Sequence, residues 1–175
     1  ISRAPIREAL ADMVSSGLLV YRPQVGNFVA ALTAKEIIDS YVARGVLEGF
    51  SVAQGIENFT AEDLTRLEEM AHKMEAFARK GKRKDLIDIG QRFHEELFCH
   101  CTNTQVVLFT RQLSLKLHLL FYKHWSRVYS PEEIRDRHLD IISTLREKDA
   151  VKIELKIRDH YIATGKKIVA QETGL

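Results

Sequence analysis

The chain has 175 residues, 45% of them hydrophobic and 29% charged, with 26 Lys+Arg against 24 Asp+Glu for a formal net charge of +2. That is enough for one or two domains with a buried core, and no apolar run approaches the ~18 residues of a membrane span. Three Pro and nine Gly exclude collagen-like and low-complexity chains, while the near-balanced charge neither demands nor forbids nucleic acid.

The elements follow in chain order. The chain opens on Ile1 rather than Met, so it is expected to begin part-way through a larger protein. Residues 2–16 read as a helix. Ser2 is its N-cap and Pro5 lies in the first turn, where a missing N–H costs little. Ile6, Leu10, Met13 and Val14 form one apolar stripe, and Gly17 supplies the C-cap. Leu18–Tyr21 and Phe28–Ala31 are β-leaning runs around the turn-forming stretch Arg22-Pro-Gln-Val-Gly-Asn27, which predicts a hairpin.

From residue 33 the period is 3.6 throughout. Thr33-x-x-Glu36 opens a helix to about Glu57, and Thr60-x-x-Asp63 opens one to about Lys80. The basic cluster Lys80–Lys84 reads as a solvated connection. A helix follows over roughly 84–101; Asn103 then caps a long helix from Thr104 to about Trp125. Phe121, Tyr122 and Trp125 pack at its end. Ser130-Pro-Glu-Glu133 starts a helix to about Glu147, and Asp149 caps the last, to about Ala170. Short connections imply antiparallel neighbours. Cys99 and Cys101 sit on what reads as a helix with side chains pointing apart. No disulfide or zinc knuckle is expected, and the chain reads as reduced and cytoplasmic.

The fold class is therefore mainly α. The C-terminal half of a winged helix-turn-helix (residues 1–31) precedes an antiparallel bundle of about six to seven helices (residues 32–175). A helix followed directly by a hairpin is how a winged helix ends, the helix lying in the DNA major groove and the wing at its flank. Arg3 and Arg7, at i and i+4, project from one side, and Arg suits guanine edges and phosphates. Arg22 and Gln24 are the polar candidates at the wing. The alternative is a solvated helix face followed by an unrelated turn.

Within the bundle, three of the seven histidines lie on core-facing stripes: His94, His138 and His160. One such histidine is ordinarily a satisfied core residue. Three on neighbouring helices also match the neutral imidazoles that bind Zn, Ni, Cu or Fe. Arg44 lies on the line Ile37, Tyr41, Arg44, Glu48. Among apolar neighbours it must either pair internally, with Glu48 one turn on, or bind an anion.

Ser2-Arg-Ala-Pro-Ile-Arg-Glu-Ala-Leu10, Gly17-Leu-Leu and Arg22-Pro-Gln-Val-Gly-Asn-Phe-Val29 resemble the DNA-binding domain of the GntR family of bacterial transcription regulators. The resemblance implies that Arg3 and Arg7 contact operator DNA, with Ser2 and Ala4 close by, and that the wing tip near Gln24–Gly26 enters the minor groove. The two helices that precede this stretch in the family have no counterpart in the sequence. Residues 33–170 resemble the helical, ligand-sensing FCD domain of the FadR-type subfamily, on Arg44-x-x-Leu-Glu48, Phe93-His94, Asn103, His138 and His160.

That resemblance implies a divalent cation (Zn or Ni) held by one Asp and three His, here His94, His138 and His160. It also implies a small carboxylate effector bound by Arg44, with Tyr41 and the histidines nearby. The Asp is expected one turn before His94, where this sequence has Gly90. Asp88 points about 120° away, and Gln91 is a weak oxygen ligand. Three readings stay open: a three-His metal site, histidines that hydrogen-bond an effector, or structural histidines.

The implied function is a ligand-responsive transcription regulator, a repressor by the family's commoner mode, acting as a homodimer on a palindromic operator. Two alternatives come from other classes. One is a three-His metalloenzyme, which lacks an acid one turn from the cluster to serve as general base, with Glu48 and Glu95 as unsupported candidates. The other is a ligand-independent helical scaffold.

Overall fold

The structure, a computed structural model, describes residues 2–173. Helix α1 (Arg3–Ser15) is followed by strands β1 (Leu19–Arg22) and β2 (Gly26–Val29). Ser2 occupies the N-cap position of α1 in extended conformation but makes no side-chain cap bond. Gly17, at φ 71°, turns the chain out of α1 in the left-handed region that favours glycine. The strands pair antiparallel from Leu19↔Val29 to Arg22↔Gly26. They are offset from the sequence expectation: Arg22 and Gly26 form the last rung of the ladder, and the turn is Pro23–Val25. Gln24 (φ 63°) and Gly26 (φ 122°) absorb the reversal, so backbone torsion rather than composition sets the strand ends.

The bundle comprises α2 (Ala34–Gly55), a 3₁₀ turn (Ile56–Asn58), α3 (Ala61–Arg79), α4 (Arg83–Leu97), α5 (Thr104–Val128), α6 (Pro131–Arg146) and α7 (Ala150–Thr173). Complete capping boxes open α2 at Thr33/Glu36, α3 at Thr60/Asp63 and α6 at Ser130/Glu133. Asn103 caps α5 by accepting from the Val106 N–H at 3.1 Å. Asp149 does the same for α7 through the Val151 and Lys152 N–H groups, each at 3.0 Å. Helix α4 ends at Leu97, short of the expected residue 101. Cys99 and Cys101 therefore lie beyond the helix, and both are free thiols.

Helix contacts run in the cyclic order α2–α7–α6–α3–α4–α5 and back to α2, with α5 also reaching α7. Ile37, Leu67, Phe93, Ile141, Ile153 and Ile157 anchor the core, each at most 1% exposed. Helices α2 and α7 approach closely because small residues line their contact. A Cβ on Gly49 would stand 2.8 Å from the Glu154 carbonyl oxygen, and one on Gly165 would stand 2.9 Å from Tyr41 Cβ. This approach carries Arg44 and Glu48 of α2 up against Tyr161 of α7.

Candidate functional site

His94 from α4, His138 from α6 and His160 from α7 converge inside the ring. Their potential ligand atoms lie within 4.8 Å of one another. Ring centroids are 5.7 Å apart for His94–His138, 5.4 Å for His94–His160 and 5.0 Å for His138–His160. Two of the rings are oriented from behind. His138 Nδ1 lies 2.6 Å from the Ile134 carbonyl oxygen one turn earlier. A carbonyl only accepts, so Nδ1 carries the proton and Nε2 keeps its lone pair. His94 Nδ1 lies 2.6 Å from Glu48 Oε1, the carboxylate–histidine arrangement that orients metal-bound imidazoles.

The electrostatics favour neutral rings at His138 and His160. Burial first, and then the neighbouring His94, lower His138 to about 3. Burial, with Arg137 next, puts His160 well below its ordinary value. A fourth histidine, His118 of α5, faces the same cavity and is lowered to about 4, again chiefly by burial. Neutral imidazole is the ligand form. The donor set of three imidazoles, two with their second nitrogen already tied, fits a divalent cation that leaves coordination positions open.

Glu48 is fully buried and bound on every side. Arg44 Nη2 reaches its Oε2 at 2.5 Å, and the Tyr161 hydroxyl donates to the same oxygen at 3.0 Å. Burial opposes its ionisation, but His94, Arg44 and the hydrogen bonds from His94 and Tyr161 prevail and hold the carboxyl below its ordinary range. Arg44 also donates to the Tyr161 hydroxyl and to the Thr110 carbonyl. Of the two roles open to Arg44 in the sequence, internal pairing is thus the one its geometry displays, and Glu48 is committed to structure rather than free as a base. Glu95 is likewise engaged, accepting from Gln91 Nε2 at 3.0 Å.

Arg44, Tyr161 and the three histidines line a cavity of about 90 Å³, with Tyr41, Gly90 and Arg137 also in its walls and Met74, Leu86, Leu117 and Phe121 supplying apolar surface. Such a volume holds several waters or a small organic molecule. Gly90 faces this space, and a Cβ there would meet nothing within 4 Å. Asp88 is turned elsewhere and lies 4.0 Å from Lys84 Nζ, so it stays off the histidine cluster.

At the other end of the chain, Ser2, Arg3, Ala4 and Arg7 are exposed along α1, and Arg22 and Gln24 are exposed on the hairpin beside half-buried Gly26. The Arg22 guanidinium carbon sits 5.0 Å from the Phe28 ring centroid. Sequence reasoning missed Tyr161, His118 and Arg137. Tyr161 was legible only as the neighbour of His160, and nothing in the period of α5 or α6 singles out the other two.

The decisive comparison is with protein families: residues 39–163 match the FCD domain. The chain belongs to the FCD-domain family. The transcriptional repressor RspR of Escherichia coli K12 is 24% identical over 161 residues, which span 91% of this chain and 70% of RspR. The transcriptional regulator McbR of the same strain is 27% identical over 158 residues, 85% of this chain and 68% of McbR. The solved structure of E. coli McbR/YncC overlays with a TM-score of 0.81 at 22% identity, covering 99% of this chain and 82% of that one. A GntR regulator from Rhodococcus sp. RHA1 overlays at 0.71 with 19% identity, covering 99% and 81%. The likeness to these structures shows the fold. Family and relatives together make this FCD protein a ligand-responsive, DNA-binding transcription regulator rather than an enzyme. No helix among the described residues is long and apolar enough to cross a membrane.

Proposed function

We propose that the FCD cavity binds a small organic acid as effector, beside a divalent cation (Zn or Ni) held by His94, His138 and His160. The observation that carries this reading is the convergence of three imidazoles on a partly apolar cavity, two of them with Nδ1 tied by Glu48 or a backbone carbonyl. Such a cation would offer an open coordination position to an effector oxygen. Tyr41 and Arg44, the latter backed by Glu48, form one wall, and Gly90 leaves room where a further ligand would stand.

The regulator acts as a homodimer on a palindromic operator and represses. Effector binding shifts the balance between dimer arrangements by its differential affinity for them. Exposed apolar side chains on α2 and α5, among them Val46, Phe50, Leu108 and Phe109, support a self-association face there. Ser2, Arg3, Ala4, Arg7, Arg22, Gln24 and Gly26 are the DNA-facing set, consistent with the exposure of all but half-buried Gly26 and with the GntR-like sequence around them.

The test is the metal content of the purified protein by elemental mass spectrometry, with His160→Ala as control. About one equivalent of Zn or Ni per chain, lost in the variant, is the expected result. A metal-free protein after incubation with either ion would leave the histidines to hydrogen bonding alone.

A further inference from the structure

The cavity contains two arginines, and they are not equivalent. Arg44 is neutralised by Glu48 and further bound by Tyr161 and Thr110. Arg137 of α6 has no carboxylate partner among the described residues. Its Nη2 donates to two neutral oxygens, the His160 carbonyl at 2.8 Å and Thr164 Oγ1 at 3.2 Å. Its guanidinium carbon lies 4.2 Å from the Tyr129 ring centroid. The nearby acids of its own helix are taken by lysines: Glu133 by Lys167 at 3.3 Å and Asp140 by Lys156 at 2.7 Å. Nε and Nη1 of Arg137 have no hydrogen-bond partner among the described residues. No fully buried side-chain nitrogen of the described residues lacks a partner either, so neither atom is fully buried.

The two guanidiniums therefore differ in what they face: Arg44 is paired with Glu48, whereas Arg137, on the cavity wall, has only neutral oxygens as hydrogen-bond partners among the described residues. A half-buried guanidinium with neutral partners is held in place yet keeps its attraction for an anion. The Tyr129 ring lies against the guanidinium and Thr164 holds one of its nitrogens, and the Tyr129 hydroxyl is itself 3.2 Å from Thr164 Oγ1. A neutral ligand filling the cavity would bury this cation without a counter-ion.

We propose that Arg137 is the anion anchor of the cavity, recognising the carboxylate of the ligand at a point removed from the Arg44–Glu48 pair. This rests on reading the cavity as an effector site. It makes Arg137 the specificity-determining residue: the cavity selects acids over the corresponding amides.

The test is calorimetric titration of the full chain, loaded with nickel and again in chelator, with lactate, malate, succinate and glutarate and with their neutral amides. At least one acid is expected to bind tenfold or more tightly than its amide, and Arg137→Gln is expected to erase that ratio. Arg137→Lys keeps the charge without the planar fork and should restore part of it. A merely structural role would lower the melting temperature of the variants and leave the acid-to-amide ratio intact, which would overturn the proposal while the effector reading stands. If no acid binds the wild-type protein, the effector reading itself fails, and the proposal with it. Phenylglyoxal labelling of the wild-type protein, read by peptide mass spectrometry, removes any dependence on variant folding. The bound acid should shield Arg137 from modification where the amide does not, and equal labelling in both would reject the assignment.

Discussion

Glycine at position 90 has a chemical consequence larger than its size. It stands one turn before His94 and faces the cavity with open space where a side chain would begin. Gly90→Asp should therefore place a carboxylate beside the three imidazoles without displacing anything. Metal affinity is expected to rise by at least about tenfold to a hundredfold, the range that even an outer-shell partner of a ligand carries, read by competition with a chromogenic chelator. Unchanged affinity would mean that the three histidines do not form the metal centre. The role of Arg44 is a related lesson. Its spacing from Glu48 made both an ion pair and an anion clamp available, and only the arrival of Tyr161 and the Thr110 carbonyl from other helices shows how fully its donors are used.

At the scale of elements, the close contact of α2 with α7 positions half the site. Gly49→Ala would gain about 1 kcal/mol in helix propensity. The new methyl group, however, would meet the Glu154 carbonyl at 2.8 Å, and overpacking against backbone costs about 1–3 kcal/mol. A net loss of about 1 kcal/mol, seen as a lower denaturation midpoint, is expected. Helix α1 presents the opposite case: none of its residues is buried, so its side chains are free to meet another surface. Arg3→Ala should weaken operator binding of the full-length regulator by roughly 1–3 kcal/mol, measured by fluorescence anisotropy. Unchanged affinity would remove Arg3 from the DNA-facing set.

At the scale of the whole molecule, the buried histidines make stability depend on pH. His138 at about 3, His118 at about 4 and His160, held well below its ordinary value, stay neutral in the folded protein, against an ordinary value of 6.5. Above pH 6.5 folded and unfolded forms are alike in this respect. Below it the unfolded chain takes up protons that the folded chain refuses, so stability falls as the pH drops from 6.5 towards 4, by at most about 1.4 kcal/mol per pH unit for each histidine. The melting temperature of the metal-free protein should decline over this window, and His138→Asn should flatten the decline. A melting temperature constant from pH 7 to 5 would mean these rings are not buried neutral.

Much of this was legible in the sequence because it is local. Helix starts are written in capping residues within one turn, at Thr33, Thr60, Asn103, Ser130 and Asp149, and the apolar period identifies which face of each helix turns inward. That is enough to name His94, His138 and His160 as inward-facing and to notice the missing Asp at position 90. The ends of β1 and β2 and the early stop of α4 were not legible, because backbone torsion at Gln24 and Gly26 and packing beyond Leu97 decide them. Nor were the partners of charged groups. Whether Arg44 is spent, whether Arg137 is left with its charge, and which nitrogen of each histidine is free are properties of side chains from different helices meeting across a cavity. Spacing along a helix determines which way a residue points; only the packing of six helices into one ring determines what it finds there.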